Sequence, residues 1–167
     1  MKRMIVVLSI ATACTTATGS NDRDSNPMQG TWSITGINYI YSDTTYRVTC
    51  TYPGRLIVDE SKYSIMYNPY GTERESADTL SKMTDDEIKY AFKTIVFNSG
   101  SYEIIGQDFV TTADIAKVPG FEGGIQHYRI GTDNSKFSLT MYDETYPSGE
   151  KPEWFGNLEI QFLLNRN

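Results

Sequence analysis

Apolar residues settle into a two-residue rhythm at Gly30. Trp32 and Ile34 share one phase, and Ile37, Tyr39 and Tyr41 the other. The switch falls at Gly36, which predicts a bulge that bends the strand. Tyr46, Val48, Cys50 and Tyr52 then alternate with Thr45, Arg47, Thr49 and Thr51, the pattern of a half-buried strand. Pro53-Gly54 predicts a break and Arg55 to Val58 a resumption. After a turn over Asp59 to Lys62, Tyr63, Ile65 and Tyr67 form a fourth strand.

Residues 68–82 are polar, contain Pro69 and Gly71, and read as a loop. Thr84-x-x-Glu87 is a capping box, with Asp85 and Asp86 in the turn where the helix dipole favours acids. Ile88, Ala91, Phe92, Ile95 and Val96 recur at helical spacing. One helix is therefore predicted over about residues 84–98, ended by Gly100. Strand patterns return over Tyr102–Ile105, Phe109–Val118, Ile125–Ile130, Phe137–Met141 and Trp154–Leu164. Turns are expected at Gly106-Gln107 and over Gly131 to Ser135. A loop holds Phe121 between Pro119-Gly120 and Gly123-Gly124, and a polar segment contains Pro147, Gly149 and Pro152. Nine strand candidates with one helix and no internal repeat predict an all-β fold, an up-and-down antiparallel barrel of 8–9 strands. Closure would remove the exposed sheet edge.

Composition narrows the partners. Twelve Tyr and seven Phe among 167 residues favour strands over a helical bundle. The net charge of −6 makes a phosphate backbone a poor partner, so no nucleic acid is expected. One His and two Cys offer no zinc-ligand pattern, and no phosphate loop, Gly-x-Ser-x-Gly or His-Glu-x-x-His motif occurs. No cofactor or metal is expected, and a monomer is.

Ahead of the barrel, Lys2-Arg3 precedes the apolar run Met4 to Ala11 and the small-residue exit Thr12-Ala13-Cys14. This is the layout of a secretory signal, too short to span a bilayer as a mature helix. Two exits fit. Ile10-Ala11-Thr12-Ala13-Cys14 resembles the bacterial lipoprotein signal, although Ala11 stands where that pattern usually has Leu, and Ala11-Thr12-Ala13 also satisfies plain Ala-x-Ala cleavage. The very short signal favours lipidation at Cys14, as does the polar stretch behind it, which buries too little apolar surface to order itself. As a coil that stretch would reach about 20 Å from a membrane. The expected organisation is a signal over residues 1–13, a tether over 14–28 and the barrel over 29–167. The protein would be exported and anchored facing the periplasm or cell surface, or otherwise periplasmic or secreted. Loss of Lys2 and Arg3 from the 15 cations, against 21 carboxylates, leaves the exported part near −8. Cys50 would then have no partner, and its place in a strand suits a small buried residue.

Gly30-Thr31-Trp32 matches the Gly-x-Trp that opens the first strand of lipocalins. Gly54-Arg55-Leu56-Ile57, the helix from Thr84, Gly100-Ser101-Tyr102 and the closing Phe162 to Arg166 follow in the order seen in bacterial and fungal lipocalin-like domains. In that order the chain resembles this family of calycin-type barrels from Gly30 onward. The resemblance implies that Trp32 plugs the closed end of the barrel with a late-strand Arg against it, and Arg166 is the candidate by position. It also implies a hydrophobic or amphipathic small molecule in the barrel. Alternation supplies an inward set for it: Tyr39, Tyr46, Val48, Ile65, Tyr128, Met141 and Phe162. Each of these also serves as ordinary core.

Two other functions remain open. An isomerase or cyclase of a hydrophobic substrate would need His127, Arg129 and a Tyr hydroxyl to converge inside the barrel. A scaffold module would need only a filled interior. An apolar void of about 300 Å³, open at one end, favours ligand carriage. Growth with a radiolabelled fatty acid tests the anchor: label is expected on the protein and lost in Cys14→Ser, and an unlabelled, freely soluble product contradicts lipidation.

Overall fold

The computed structural model describes residues 26–133 and 136–167. The signal segment, Cys14 and the tether up to residue 25 lie outside the described residues. Eight strands follow one another: β1 (Gly30–Tyr41), β2 (Thr45–Val58), β3 (Lys62–Tyr67), β4 (Val96–Ile105), β5 (Asp108–Ala116), β6 (Ile125–Asp133), β7 (Lys136–Thr145) and β8 (Leu158–Arg166). A single helix, α1 (Asp85–Lys93), lies between β3 and β4. Each strand pairs antiparallel with the next, and β1 pairs with β8 to close the barrel. The all-β up-and-down architecture is thus the one that the alternation predicts, with eight strands.

The ninth candidate disappears because Pro53-Gly54 bulges β2 and does not end it. Ile34 pairs with Gly54, and the next paired residue, Gly36, meets Thr49. The extra residues leave the ladder with β1, and the Thr51 amide donates instead to the Gly71 carbonyl at 2.9 Å. Gly54 permits this fold-back, since a Cβ there would lie 2.6 Å from the Met66 carbonyl oxygen. On β1 the phase changes at Gly36 as expected, so Trp32, Ile34, Ile37 and Tyr39 all reach the inside.

The helix is shorter than its periodicity predicts. Its capping box is present, with the Thr84 hydroxyl accepting from the Glu87 amide and the Glu87 carboxylate accepting from the Thr84 amide. It stops at Lys93, where the Thr94 hydroxyl turns back to the Tyr90 carbonyl and Arg74 donates to the Ala91 carbonyl. Ile95 and Val96, counted as its last apolar positions, lead instead into β4, where Val96 pairs with Tyr67. Pairing with β3 overrides a helical spacing whose β-branched residues suit a strand equally well. Gly100, expected as the helix stop, lies within β4 at a bulge against β5, where a Cβ would collide with the Thr112 carbonyl. None of the helical residues is buried.

At one end the barrel is sealed. Trp32 is fully buried and donates its indole N–H to the Met28 carbonyl at 2.7 Å. Arg166 stands opposite Trp32 in the β1–β8 ladder, its guanidinium 5.2 Å from the ring centroid. It also donates to the Gln29 carbonyl at 2.7 Å, which holds the incoming chain over the plug. Such a cation–π contact contributes about 0.5–2 kcal/mol. Phe137 also packs against the indole, with ring centroids 4.8 Å apart. Above this plug the interior is filled. Phe109 contacts Tyr63, Tyr102 and Tyr128, and Phe162 contacts Tyr67 and Tyr128, with centroids 4.8–6.3 Å apart. Among the described residues, two openings lie at the opposite end.

Candidate functional site

The open end is where the side-chain filling stops. The ends of β4, β5, β6 and β7 meet there with the loop over residues 117–124. That loop is held to the sheet by the Ala113 amide donating to the Gly124 carbonyl and the Gly123 amide to the Ala113 carbonyl. Together they enclose a cleft of about 390 Å³. Its walls are apolar, with Val96, Phe97, Ala116, Val118, Phe121 and Tyr146 among them. Phe121 meets Tyr146 edge to face at 6.2 Å. The polar residues of the cleft are Asn98, Gln126, Glu144 and Lys117.

Three of these form one directed network. The Glu144 carboxylate accepts from Gln126 Nε2 at 2.5 Å, which turns Gln126 Oε1 the other way. That oxygen accepts twice, from the buried Tyr128 hydroxyl at 2.8 Å and from Asn98 Nδ2 at 3.1 Å. The amide orientation imposed by the carboxylate thus passes to Asn98, leaving its Oδ1 as the buried member turned away from Gln126 Oε1. Asn98 is 5% exposed, and Oδ1 has no donor among the described residues. A buried acceptor without a donor costs roughly 1–3 kcal/mol; Asn38 Oδ1 and the Tyr63 hydroxyl are likewise without partners among the described residues, but Asn98 alone of the three lines the cleft. Burial also pushes the Glu144 carboxyl above the ordinary carboxylate range, with the neighbouring Asp143 adding to the shift. No ion pair to Glu144 forms among the described residues; Asp143 is held by Lys151.

The residues that alternation selected divide into two groups. Ile65, Tyr128, Met141 and Phe162 are buried in the packed interior, where Tyr128 supports the network from below. Tyr39, Tyr46 and Val48 line a second opening of about 340 Å³ at the same end, with Tyr41, Pro69 and Tyr70. Tyr46, expected inward, is 62% exposed there. Tyr39 donates to the Pro69 carbonyl at 2.9 Å, and burial pushes its phenol up to about 12.

Sequence reasoning missed the polar residues of the cleft for separate reasons. Asn98 fell within the expected helix. Gln126 shares the phase of Tyr128, so the inward signal was present, but a Gln among apolar inward residues reads as solvent-facing. Glu144 is inverted by a bulge. His127 pairs with Asp143 but Tyr128 with Met141, so Tyr142 is an extra residue. Strict alternation from Leu139 and Met141 would send Asp143 inward; the bulge sends Glu144 instead, opposite Gln126.

His127 and Arg129 do not converge in the interior. They face outward beside the bulged Tyr142, with the Arg129 guanidinium 4.9 Å from its ring centroid and His127 at 6.1 Å. The Tyr142 hydroxyl donates to Asp108 at 3.0 Å. Among the described residues no three His, Cys, Asp or Glu side chains stand together as metal ligands. Cys50 is buried, and burial raises its thiol.

No protein-family model matches the sequence, and no curated protein matches it. Among solved structures, a lipocalin-like protein from Bacteroides uniformis is similar at 12% identity, over 83% of this chain and 97% of its own, with a TM-score of 0.38. The likeness is loose. The barrel assignment rests on this chain's own pairing, in which β1 meets both β2 and β8.

The raised Glu144 carboxyl sets a pH test. The folded state holds this proton more tightly than the unfolded chain does, so the group's contribution to stability falls as pH rises from the ordinary Glu value through the raised one. Glu144→Gln keeps an acceptor for Gln126 and removes the titration. Thermal melts should show the variant gaining on the wild type over the interval that begins at the ordinary Glu value, about pH 4.3, and runs upward. A melting difference that stays constant over that interval contradicts a desolvated Glu144.

Proposed function

We propose that this protein binds a small hydrophobic or amphipathic molecule at the open end of its barrel and does so as an exported protein anchored by a lipid at Cys14. One observation carries the binding reading. A cleft of about 390 Å³ combines apolar walls with a buried polar base whose Asn98 acceptor lacks a donor. Its size lies in the range of small-molecule sites, and mostly apolar linings with a few convergent polar groups are characteristic of them. The Tyr39, Tyr46 and Val48 opening lies at the same end and gives the mouth further aromatic surface. The packed middle of the barrel supports entry only as far as the network of Gln126 and Tyr128.

The anchor reading rests on the segment from Met1 to Cys14. It agrees with the layout of the barrel, since the chain enters at Met28 beside the Trp32 plug, opposite the cleft. A tether attached there leaves the cleft facing away from the membrane, free to exchange its ligand with the surrounding medium.

Titration with N-phenyl-1-naphthylamine, a neutral fluorescent probe with one N–H donor, tests the binding reading. Saturable one-site binding is expected, and Ala116→Trp, which fills the cleft from β5, should abolish it while the barrel still melts cooperatively. Unsaturable fluorescence, or binding unchanged by Ala116→Trp in a folded variant, overturns the assignment of the site.

A further inference from the structure

Among the described residues, the base of the cleft carries a carboxylate without a cation and a buried acceptor without a donor. Tyr128 has committed its one donor, while Asn98 Nδ2 and Gln126 Nε2 have each committed one of two. Tyr128 donates its only hydroxyl proton to Gln126, Asn98 directs Nδ2 to the same oxygen, and Gln126 directs Nε2 to Glu144. On the acceptor side Asn98 Oδ1 has no partner, and the Glu144 carboxylate makes no ion pair, among the described residues. Both residues line the same cleft.

We propose that the cleft selects an amphipathic amine, seating its ammonium group against Glu144 and Asn98 Oδ1 and its hydrocarbon part against Val96, Phe97, Val118, Phe121 and Tyr146. This rests on the reading of the cleft as a ligand site and names the chemistry of its ligand. The reasons are electrostatic and steric. A half-buried carboxylate without a cation is costly, and a ligand that brings the missing charge restores the balance. A primary ammonium carries three donors and no acceptor, so it can satisfy both Glu144 and the orphan Oδ1 without placing a lone pair against either. A carboxylate headgroup would bring like charge to Glu144 and no donor for Asn98. The one cation lining the cleft, Lys117, does not reverse this preference. Its ammonium donates to the Phe92 carbonyl at 2.7 Å and lies 4.2 Å from the Phe92 ring centroid, so it is engaged with the end of α1. The remaining charge beside Glu144 is Asp143, an acid paired with Lys151, which brings no cation to Glu144.

Calorimetric titration of the folded protein with octylamine, 1-octanol and octanoate at neutral pH separates the possibilities, because the three probes share one tail. Octylamine is expected to bind about tenfold more tightly than 1-octanol, and octanoate more weakly than either, as a charge-assisted hydrogen bond outweighs a neutral one. Glu144→Gln, which keeps the shape of the side chain, should bring octylamine down to the affinity of 1-octanol and leave 1-octanol unchanged. Asn98→Leu should weaken octylamine and 1-octanol together, since Oδ1 serves a donor of either kind. Equal affinities for the three probes, or an amine preference that survives Glu144→Gln, overturn the proposal while leaving the cleft a ligand site. Tightest binding of octanoate overturns it in favour of an anion site on Lys117. Failure of all three to bind removes the ligand-site reading itself, and the amine selectivity with it.

Discussion

Closure of the sheet governs everything else in this molecule. β1 has neighbours on both sides along almost its whole length, β2 on one and β8 on the other, so among the described residues no strand is left as an edge. An eight-stranded barrel encloses just enough space to be filled by side chains or to hold one small ligand. Here Phe109, Tyr63, Tyr128 and Phe162 fill the middle, and Trp32 with Arg166 seals one end. Free volume is thereby confined to the other end, where the inward residues become polar and the loop over residues 117–124 replaces strand.

That confinement explains why the polar network sits where it does. Deep in the barrel, Asn98, Gln126 and Glu144 would need a complete set of partners, because an unmet buried polar group is worse than an apolar one. At the mouth the set can be left one donor short and one cation short, and the deficit becomes a means of selecting what enters. The direction of the network comes from its charged member. A carboxylate can only accept, so it orders Gln126, and Gln126 in turn orders Asn98. One bulge at Tyr142 is what brings Glu144 to that position.

Most of the barrel was legible in the sequence, and most of the cleft was not, for a common reason. The alternation of Trp32, Ile34, Ile37 and Tyr39 across Gly36 carries both the strand and its bend, because a glycine marks the irregularity. The inward phase of Ile65, Tyr128, Met141 and Phe162 was equally readable, since apolar residues report burial directly. The bulges at Pro53-Gly54 and Tyr142 were not. The first has the residues of a chain break, and the second has no glycine or proline to announce it. The helix was overextended because Ile95 and Val96 satisfy a helical spacing and a strand equally, and only the partner strand β3 decides between them. The cleft depends on two of these misread places, since the start of β4 sets Asn98 and the Tyr142 bulge sets Glu144, and the polar Gln126 joins them.

The central claim is that ligand is held at the open end and does not enter the packed middle. Amide chemical-shift mapping on the ¹⁵N-labelled protein during titration with N-phenyl-1-naphthylamine tests it most directly. The account predicts shifts concentrated at Val96 to Asn98, Ala116 to Phe121, Gln126 and Glu144 to Tyr146, with Trp32 and Arg166 unmoved. Shifts centred on Ile65, Met141 and Phe162 would contradict it, by showing that the aromatic filling parts to admit ligand.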